Sequence, residues 1–374
     1  MRRIPAVIVL ALATLSIGAP SPARATDRAP VSPTPLLAYY YIWFTPSSWS
    51  RGKRDYPLLG RYSSDDTGIM RQQVRWAKSA GIDGFLVSWK STPTLDDRLA
   101  RLIRVANAQH FRLGIVYEGL DFHRRPLPIA TVRHDLERFA ATFAHNRAFA
   151  IFERPVVIWS GTWRYTNAQI RFATQSVRGR LLLLASAKNT RDYERVAPLV
   201  DGDAYYWSSV NPHHYRGYGR KLRDLGAAVH ARGGLWIAPA APGFDARMVG
   251  GSSVVGRENG ATLRRELNTA AASSPDAIGV ISWNEFSENT FIEPSRAYGS
   301  RALEVIAEVR GARAPDVSTF DSDGSGTDTA PMGISYGIVG LVIACVGLFT
   351  VTTIARRRRQ PPLASLTKEQ SPRP

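Results

Sequence analysis

Cysteine is all but missing from this chain of 374 residues: Cys345 is the only one. A single thiol excludes intrachain disulfides and leaves no cysteine-based metal site. Lysine is scarce too, six against 42 arginines, a bias that reflects genome composition more than function. No Gly-rich phosphate cradle follows the first apolar run, where the chain reads Thr45-Pro46-Ser47-Ser48-Trp49, and this counts against a nucleotide-binding sheet. Finger, helix-turn-helix and RNA-platform motifs are absent as well, so nucleic acid is not an expected partner. His213 and His214 lack a third ligand at recognisable spacing and read as a solvated helix start, so no metal and no cofactor are expected.

Long apolar runs occur only near the two ends. Arg2 and Arg3 precede an apolar run from Ile4 to Ile17, and Ala23 and Ala25 form an A-x-A site. That pattern predicts an export signal over 1–25, cut after Ala25, with 26–35 as a short extension. An uncleaved anchor is the competing reading, although the run falls short of the ~20 apolar residues a spanning helix needs. Met332 to Ile354 carries no charge and abuts Arg356-Arg357-Arg358-Arg359. It predicts a single transmembrane helix over 332–354. Because Lys and Arg are retained inside, the tail 355–374 is expected in the cytoplasm and all that precedes Met332 outside the membrane. A buried core helix fits less well, since such helices rarely lack a polar face over this length. The Ser, Thr, Asp and Gly content of 312–331 suits a flexible tether.

The formal net charge of +17 has to be divided among these parts. Three arginines lie in the signal and a net five positive charges in the tail, which leaves +9 for the exported portion. Such a surplus favours contact with anionic envelope polymers or lipid headgroups. Roughly 280 residues between Pro35 and Arg313 suffice for one ordinary core.

Within that portion, apolar β-type runs alternate with amphipathic segments. Eight runs are found: 37–43, 84–89, 113–117, 155–159, 181–186, 203–207, 234–238 and 277–283. Helical periodicity marks 68–80, 95–108, 132–143, 218–232 and 261–272. Strands apolar on both faces belong to parallel sheets covered by helices, and eight such units predict an α/β fold, a (β/α)8 TIM barrel over 36–311. An open doubly wound sheet is the alternative.

A barrel builds its site where the strands' carboxyl ends meet loops. The residues closing these runs are aromatic and polar: Tyr41 and Trp43, Trp89, Tyr117 and Glu118, Trp159 and Trp163, Lys188 and Asn189, Tyr206 and Trp207, Asp245, then Asn284, Glu285 and Glu288. Flat rings suit the CH-rich faces of sugars, while amides and carboxylates suit their hydroxyls. Trp159 and Trp283 are equally well placed to plug the core. Asp83 precedes its strand, so it belongs to the stabilising bottom face. Glu285 and Glu288 are three apart, a step that brings both to one side of a helical turn. Glycosidic bonds are usually split by such a pair, one carboxyl protonating the leaving oxygen and the other acting as base or nucleophile. Glu293, before Pro294, is expected to tie down the loop.

The run Trp283-Asn284-Glu285-Phe286-Ser287-Glu288-Asn289-Thr290-Phe291-Ile292-Glu293-Pro294 resembles the WNEW-x-EGTxIEP signature of glycoside hydrolase family 99 and its relatives. Segments 38–44, 80–89, 117–118 and 242–245 resemble that family's other landmarks in the same order. The resemblance implies a retaining, metal-independent endo-α-mannosidase or related enzyme on a (β/α)8 barrel, acting on a poly- or oligosaccharide. It implies that Glu285 deprotonates the substrate's 2-hydroxyl to give a 1,2-anhydro sugar, while Glu288 protonates the leaving oxygen and then activates water. Glu118 and Tyr206 would contact the sugar near the reacting centre, and Trp89 and Tyr41 would line the adjoining subsite. The sequence departs from the pattern at Asn289 for glycine, Phe291 for glutamine, and Phe286 and Phe244 for tryptophans. A glycan-binding envelope protein without turnover is the reading from another class.

Overall fold

A computed structural model describes residues 34–318 apart from Phe122. The expected signal, membrane helix and tail, and most of the tether, lie outside the described residues. Among the described residues no helix is long and apolar enough to cross a membrane.

All eight apolar runs contribute strands to one parallel sheet. These are β1 (Leu36–Tyr41), β2 (Gly84–Trp89), β3 (Arg112–Glu118), β4 (Val156–Ser160), β5 (Leu182–Ala185), β6 (Gly202–Ala204), β7 (Leu235–Ala240) and β10 (Ala277–Val280). β1 pairs with β2 on one side and with β10 on the other, so the sheet closes into a barrel and the open doubly wound alternative is excluded. A small antiparallel ribbon, β8 (Phe244–Asp245) with β9 (Val254–Val255), was not foreseen.

The five expected helices form as α1 (Thr67–Ser79), α2 (Pro93–Ala108), α3 (Ile129–Thr142), α6 (Tyr218–His230) and α7 (Ala261–Ala271). Their starts are written in the sequence: the Asp66 carboxylate accepts from the amides of Gly68 and Ile69, and Thr92 caps α2 just before Pro93. α4 (Asn167–Thr174) and α5 (Thr190–Val196) fill gaps expected to be helical but were not individually placed, because neither is long enough to establish a 3.6-residue period. α8 (Arg301–Arg310) is amphipathic and was also missed.

Successive strand side chains point to opposite faces, and this sorts the core into two layers. Leu37, Tyr39, Leu86, Val116, Ile158 and Leu184 fill the barrel. Tyr40, Phe85, Val87, Tyr117 and Trp159 face outward and pack with helix residues such as Val74, Leu102 and Phe139. Space inside is short: a Cβ on Gly279 would lie 2.8 Å from the Tyr39 ring. At the base, Asp83 accepts from the Leu36 amide and pairs with Arg310, as the bottom-face reading expected.

Candidate active site

The loop after β10 carries the acidic pair. It folds back on itself: the Ser282 amide donates to Thr290 O and the Ile292 amide to Ser282 O, both at 2.8 Å. Asn289 turns it with φ of 55°, a left-handed conformation that asparagine tolerates far better than most residues. That explains how it stands where the family signature has glycine. Phe286 and Phe291, two other departures, stack on each other at 4.0 Å, with Trp49 edge-on to Phe286 at 5.5 Å.

Glu285 and Glu288 are 2% and 3% exposed. The Glu285 amide donates to Ser282 Oγ at 2.8 Å, and its Oε1 accepts from the Ser287 amide at 2.9 Å. Lys53 Nζ donates to Ser287 Oγ at 2.8 Å. Burial pushes the Glu285 carboxyl up to about 7, with the Ser287 amide and the Lys53 ammonium pulling it back. Burial, followed by the charge of Glu285, holds Glu288 well above the ordinary carboxyl range, opposed by Arg124. Two close carboxyls cannot readily ionise together, so near neutrality one is ionised and the other, Glu288, keeps its proton.

A cavity of about 550 Å³ opens at the carboxyl ends of the strands. Strand parity supplies its floor. Tyr39 and Tyr41 of β1, Glu118 of β3, Ser160 after Ile158, Ser186 after Leu184 and Tyr206 after Ala204 all belong to the inward register and line it. Ser88, inward on β2, donates to Glu118 Oε1 at 2.8 Å. Burial raises Glu118, while Ser88, Lys90, Ser160 and Arg124 counter that rise. The Tyr41 and Tyr206 hydroxyls lie 2.8 Å apart. Burial is the main cause that lifts both phenols well above their ordinary range, and the charges of Glu285 and Glu288 add to it. Neither Glu285 nor Glu288 is itself among the cavity-lining residues. The tyrosine pair is the link between the acidic loop and the cavity.

The structure thus brings Tyr41, Glu118, Tyr206 and Trp207 to one cavity. Trp43 stacks on Tyr41 at 4.3 Å with its indole N–H buried and unpartnered. Trp43 is itself not among the cavity-lining residues, nor are the outward-facing Tyr117 and Trp159, and three further residues expected there are elsewhere. Trp89 has the outward register of β2: its Nε1 donates to Asp96 at 3.0 Å and its ring packs against Phe139 and Phe143, so it braces α2 and α3. Asn284 spends its amide on the backbone, accepting from the Tyr41 amide at 2.9 Å and donating to the Tyr41 carbonyl at 3.0 Å. Asp245 is ion-paired to Arg54 and Arg247, each at 2.7 Å, and its amide donates to the Glu288 carbonyl at 2.7 Å. The last two position the acidic loop and are not in the cavity wall. Glu293 ties the loop down as expected, accepting from Tyr62 Oη at 2.9 Å and Gln73 Nε2 at 2.7 Å.

Arg124, Ser160, Ser186 and Lys221 also line the cavity and escaped the sequence reading. Counting in twos from Ile158 and Leu184 would have found the serines; nothing local marks Arg124, and Lys221 sits on a helix chosen only for its apolar face.

No protein-family model and no curated protein matches the sequence. Among solved structures the chain is similar to a GH99 endo-alpha-mannosidase from Bacteroides thetaiotaomicron, at 20% identity and a TM-score of 0.65 over 74% of this chain and 98% of that one, in a complex with bis-tris-propane. A second structure of the GH99 endo-alpha-mannosidase from that organism gives 19% identity and a TM-score of 0.65 over 75% and 98%. A glycoside hydrolase-like protein gives 16% and 0.59 over 74% and 93%. At these identities the likeness establishes the fold: the chain is a parallel (β/α)8 barrel of the architecture that these proteins use.

Proposed function

We propose that this chain is a glycoside hydrolase that cleaves α-linked, mannose-containing glycans with retention. One observation carries the reading: Glu285 and Glu288 share a buried loop beside the tyrosines of the barrel's cavity, and their protonation is driven apart. Groups so divided suit a base and an acid. The Glu285 carboxylate takes the proton of the 2-hydroxyl, O2 attacks C1 from the face opposite the leaving group, and Glu288 gives its proton to the departing oxygen. Water, losing a proton to Glu288, then opens the 1,2-anhydro ring at C1, and O2 recovers its proton from Glu285. Attack within one sugar gains from high effective concentration.

Glu288→Gln tests this. Turnover should fall by about 10²–10⁴-fold while saccharide binding persists; undiminished turnover ends the proposal. A substrate lacking the 2-hydroxyl should bind and stay intact, and its efficient cleavage would replace neighbouring-group attack with a conventional two-carboxylate route.

The absence of both carboxylates from the cavity wall favours a second reading, a glycan-binding protein without turnover, which predicts saturable binding and no product after long incubation. In either case we propose export and anchoring through 332–354, supported by the uncharged run and its arginine stop. Full-length protein should sediment with membranes, and a chain ended at Pro331 should not; sedimentation of both would refute the anchor.

A further inference from the structure

A hydrogen-bonded relay ties the acidic loop to the cavity, and the proposed chemistry leaves it without a role. Glu293 stands at its centre, 1% exposed, with its amide donating to the Trp283 carbonyl at 2.8 Å. One of its oxygens accepts from Gln73 Nε2 of α1 at 2.7 Å, and Gln73 in turn accepts from Tyr40 Oη at 2.5 Å. The other oxygen accepts from Tyr62 Oη at 2.9 Å. Tyr62 spends its single hydrogen there, so its oxygen is left to accept from Asn284 Nδ2 at 3.2 Å. Asn284 brackets the Tyr41 peptide at 2.9 Å and 3.0 Å and directly precedes Glu285. The relay thus starts outside the barrel, between β1 and α1, and ends at a side chain of the acidic loop that grips a cavity-lining tyrosine.

Tyr40, Gln73, Tyr62, Asn284 and Glu293 are all buried, so leaving one of their polar atoms unpaired costs its full desolvation. This fixes the direction of the relay. A Tyr62 hydrogen turned toward Asn284 would meet an N–H, and the Asn284 amide cannot reverse without setting its own N–H against that of Tyr41. We propose that Glu293 is a positioning residue for the reaction: through Tyr62 and Asn284 it fixes where Glu285 stands relative to Tyr41, and so governs turnover and not affinity. The proposal rests on the glycoside hydrolase reading and adds a residue to it. Tyr41 is also held by its strand, in register with Ser88 of β2, so cutting the relay shifts the acidic loop. Glu118, Tyr206 and Trp207 line the cavity outside the relay and keep their hold on a saccharide. Proton transfer is less forgiving, since a misplacement of about 1 Å costs as much as a hundredfold in rate. Protonated on the oxygen facing Gln73, as burial favours near neutrality, Glu293 needs only that Gln73 turn its amide toward Tyr40, and the arm to Asn284 is unchanged. Glutamine in its place makes the same demand.

The test uses the full-length protein and a panel of α-linked manno-oligosaccharides, with products read by mass. Tyr62→Phe keeps the ring, which lies edge-on to Phe44 and Trp49, and removes the link. Its kcat should fall about ten- to a hundredfold while KM stays within about twofold. Glu293→Met should fall likewise, and Glu293→Gln should recover most of the turnover because its amide oxygen still accepts from Tyr62. Trp89→Phe controls for lost stability: it gives up one buried hydrogen bond outside the relay, and its kcat should match the unsubstituted protein. Thermal melts and calorimetric affinities for the same panel check that each variant folds and binds.

Loss of turnover confined to Tyr62→Phe and Glu293→Met, with affinity kept and glutamine restoring the rate, supports the proposal. Full activity in Tyr62→Phe overturns it, as does a fall in kcat that Trp89→Phe shares at a similar melting temperature, or a rise in KM at unchanged kcat. In each of those cases the hydrolase reading stands, because the unsubstituted protein still cleaves the panel. If the unsubstituted protein cleaves no member of it, the hydrolase reading falls and takes the proposal with it.

Discussion

In the proposed mechanism Glu285 takes a proton and Glu288 gives one, and the two side chains differ in the right sense. With Glu285 raised to about 7, kcat/KM should climb as pH rises through that value and the base becomes ionised. It should decline again at higher pH, where Glu288 loses the proton that burial and Glu285 make it retain. Lys53 holds Glu285 down, so Lys53→Met should move the acid limb of the profile upward in pH. An unmoved limb would show that the ammonium has no grip on the base. At this scale the sequence was most legible where residues cluster: Glu285, Glu288 and Asn284 stand together in one run, and their burial follows from the loop that carries them. It was least legible at Arg124, whereas Lys188, at the end of its run, was expected in the wall and lines the cavity. A long basic side chain enters a cavity or leaves it according to loop geometry that no local pattern records.

Strands were easy to find and their faces easy to misjudge. Every apolar run became a strand because all are buried on both sides, and for the same reason none displays the alternation that tells inside from outside. Trp89 was assigned to the cavity for its position at a strand's end, but the inward residue at that level is Ser88. A shift of one residue exchanges the faces of a strand. Trp89→Phe should therefore leave KM for saccharide unchanged and lower unfolding free energy by about 0.5–1.5 kcal/mol through the lost bond to Asp96. Denaturant titration and steady-state kinetics on the same preparation check both halves. A raised KM with unaltered stability would put the ring back in the cavity.

For the molecule as a whole, buried acids make stability depend on pH. Burial raises Glu266 and Glu293 each to about 8, from an ordinary 4.5. Below 4.5 both are protonated whether the chain is folded or not, and they exact no differential cost. Between 4.5 and 8 the unfolded chain gives up these protons while the folded one keeps them, so stability declines across that interval and levels off above it. Denaturant midpoints taken from pH 5 to 8.5 should fall accordingly. Glu266→Gln, which keeps a partner for Tyr218 Oη, should flatten part of the slope; an equal slope in the variant would mean Glu266 ionises normally.

The barrel's seam joins its first strand to its last, and the latch across it is made of the same residues that present the acids. The Trp283 amide donates to Tyr39 O at 2.7 Å and Asn284 brackets the Tyr41 peptide, one step before Glu285. Ring closure and the placing of the acidic pair thus draw on the same contacts. A nascent chain lacking its final βα unit could assemble seven staves and would still lack both carboxylates of the proposed pair.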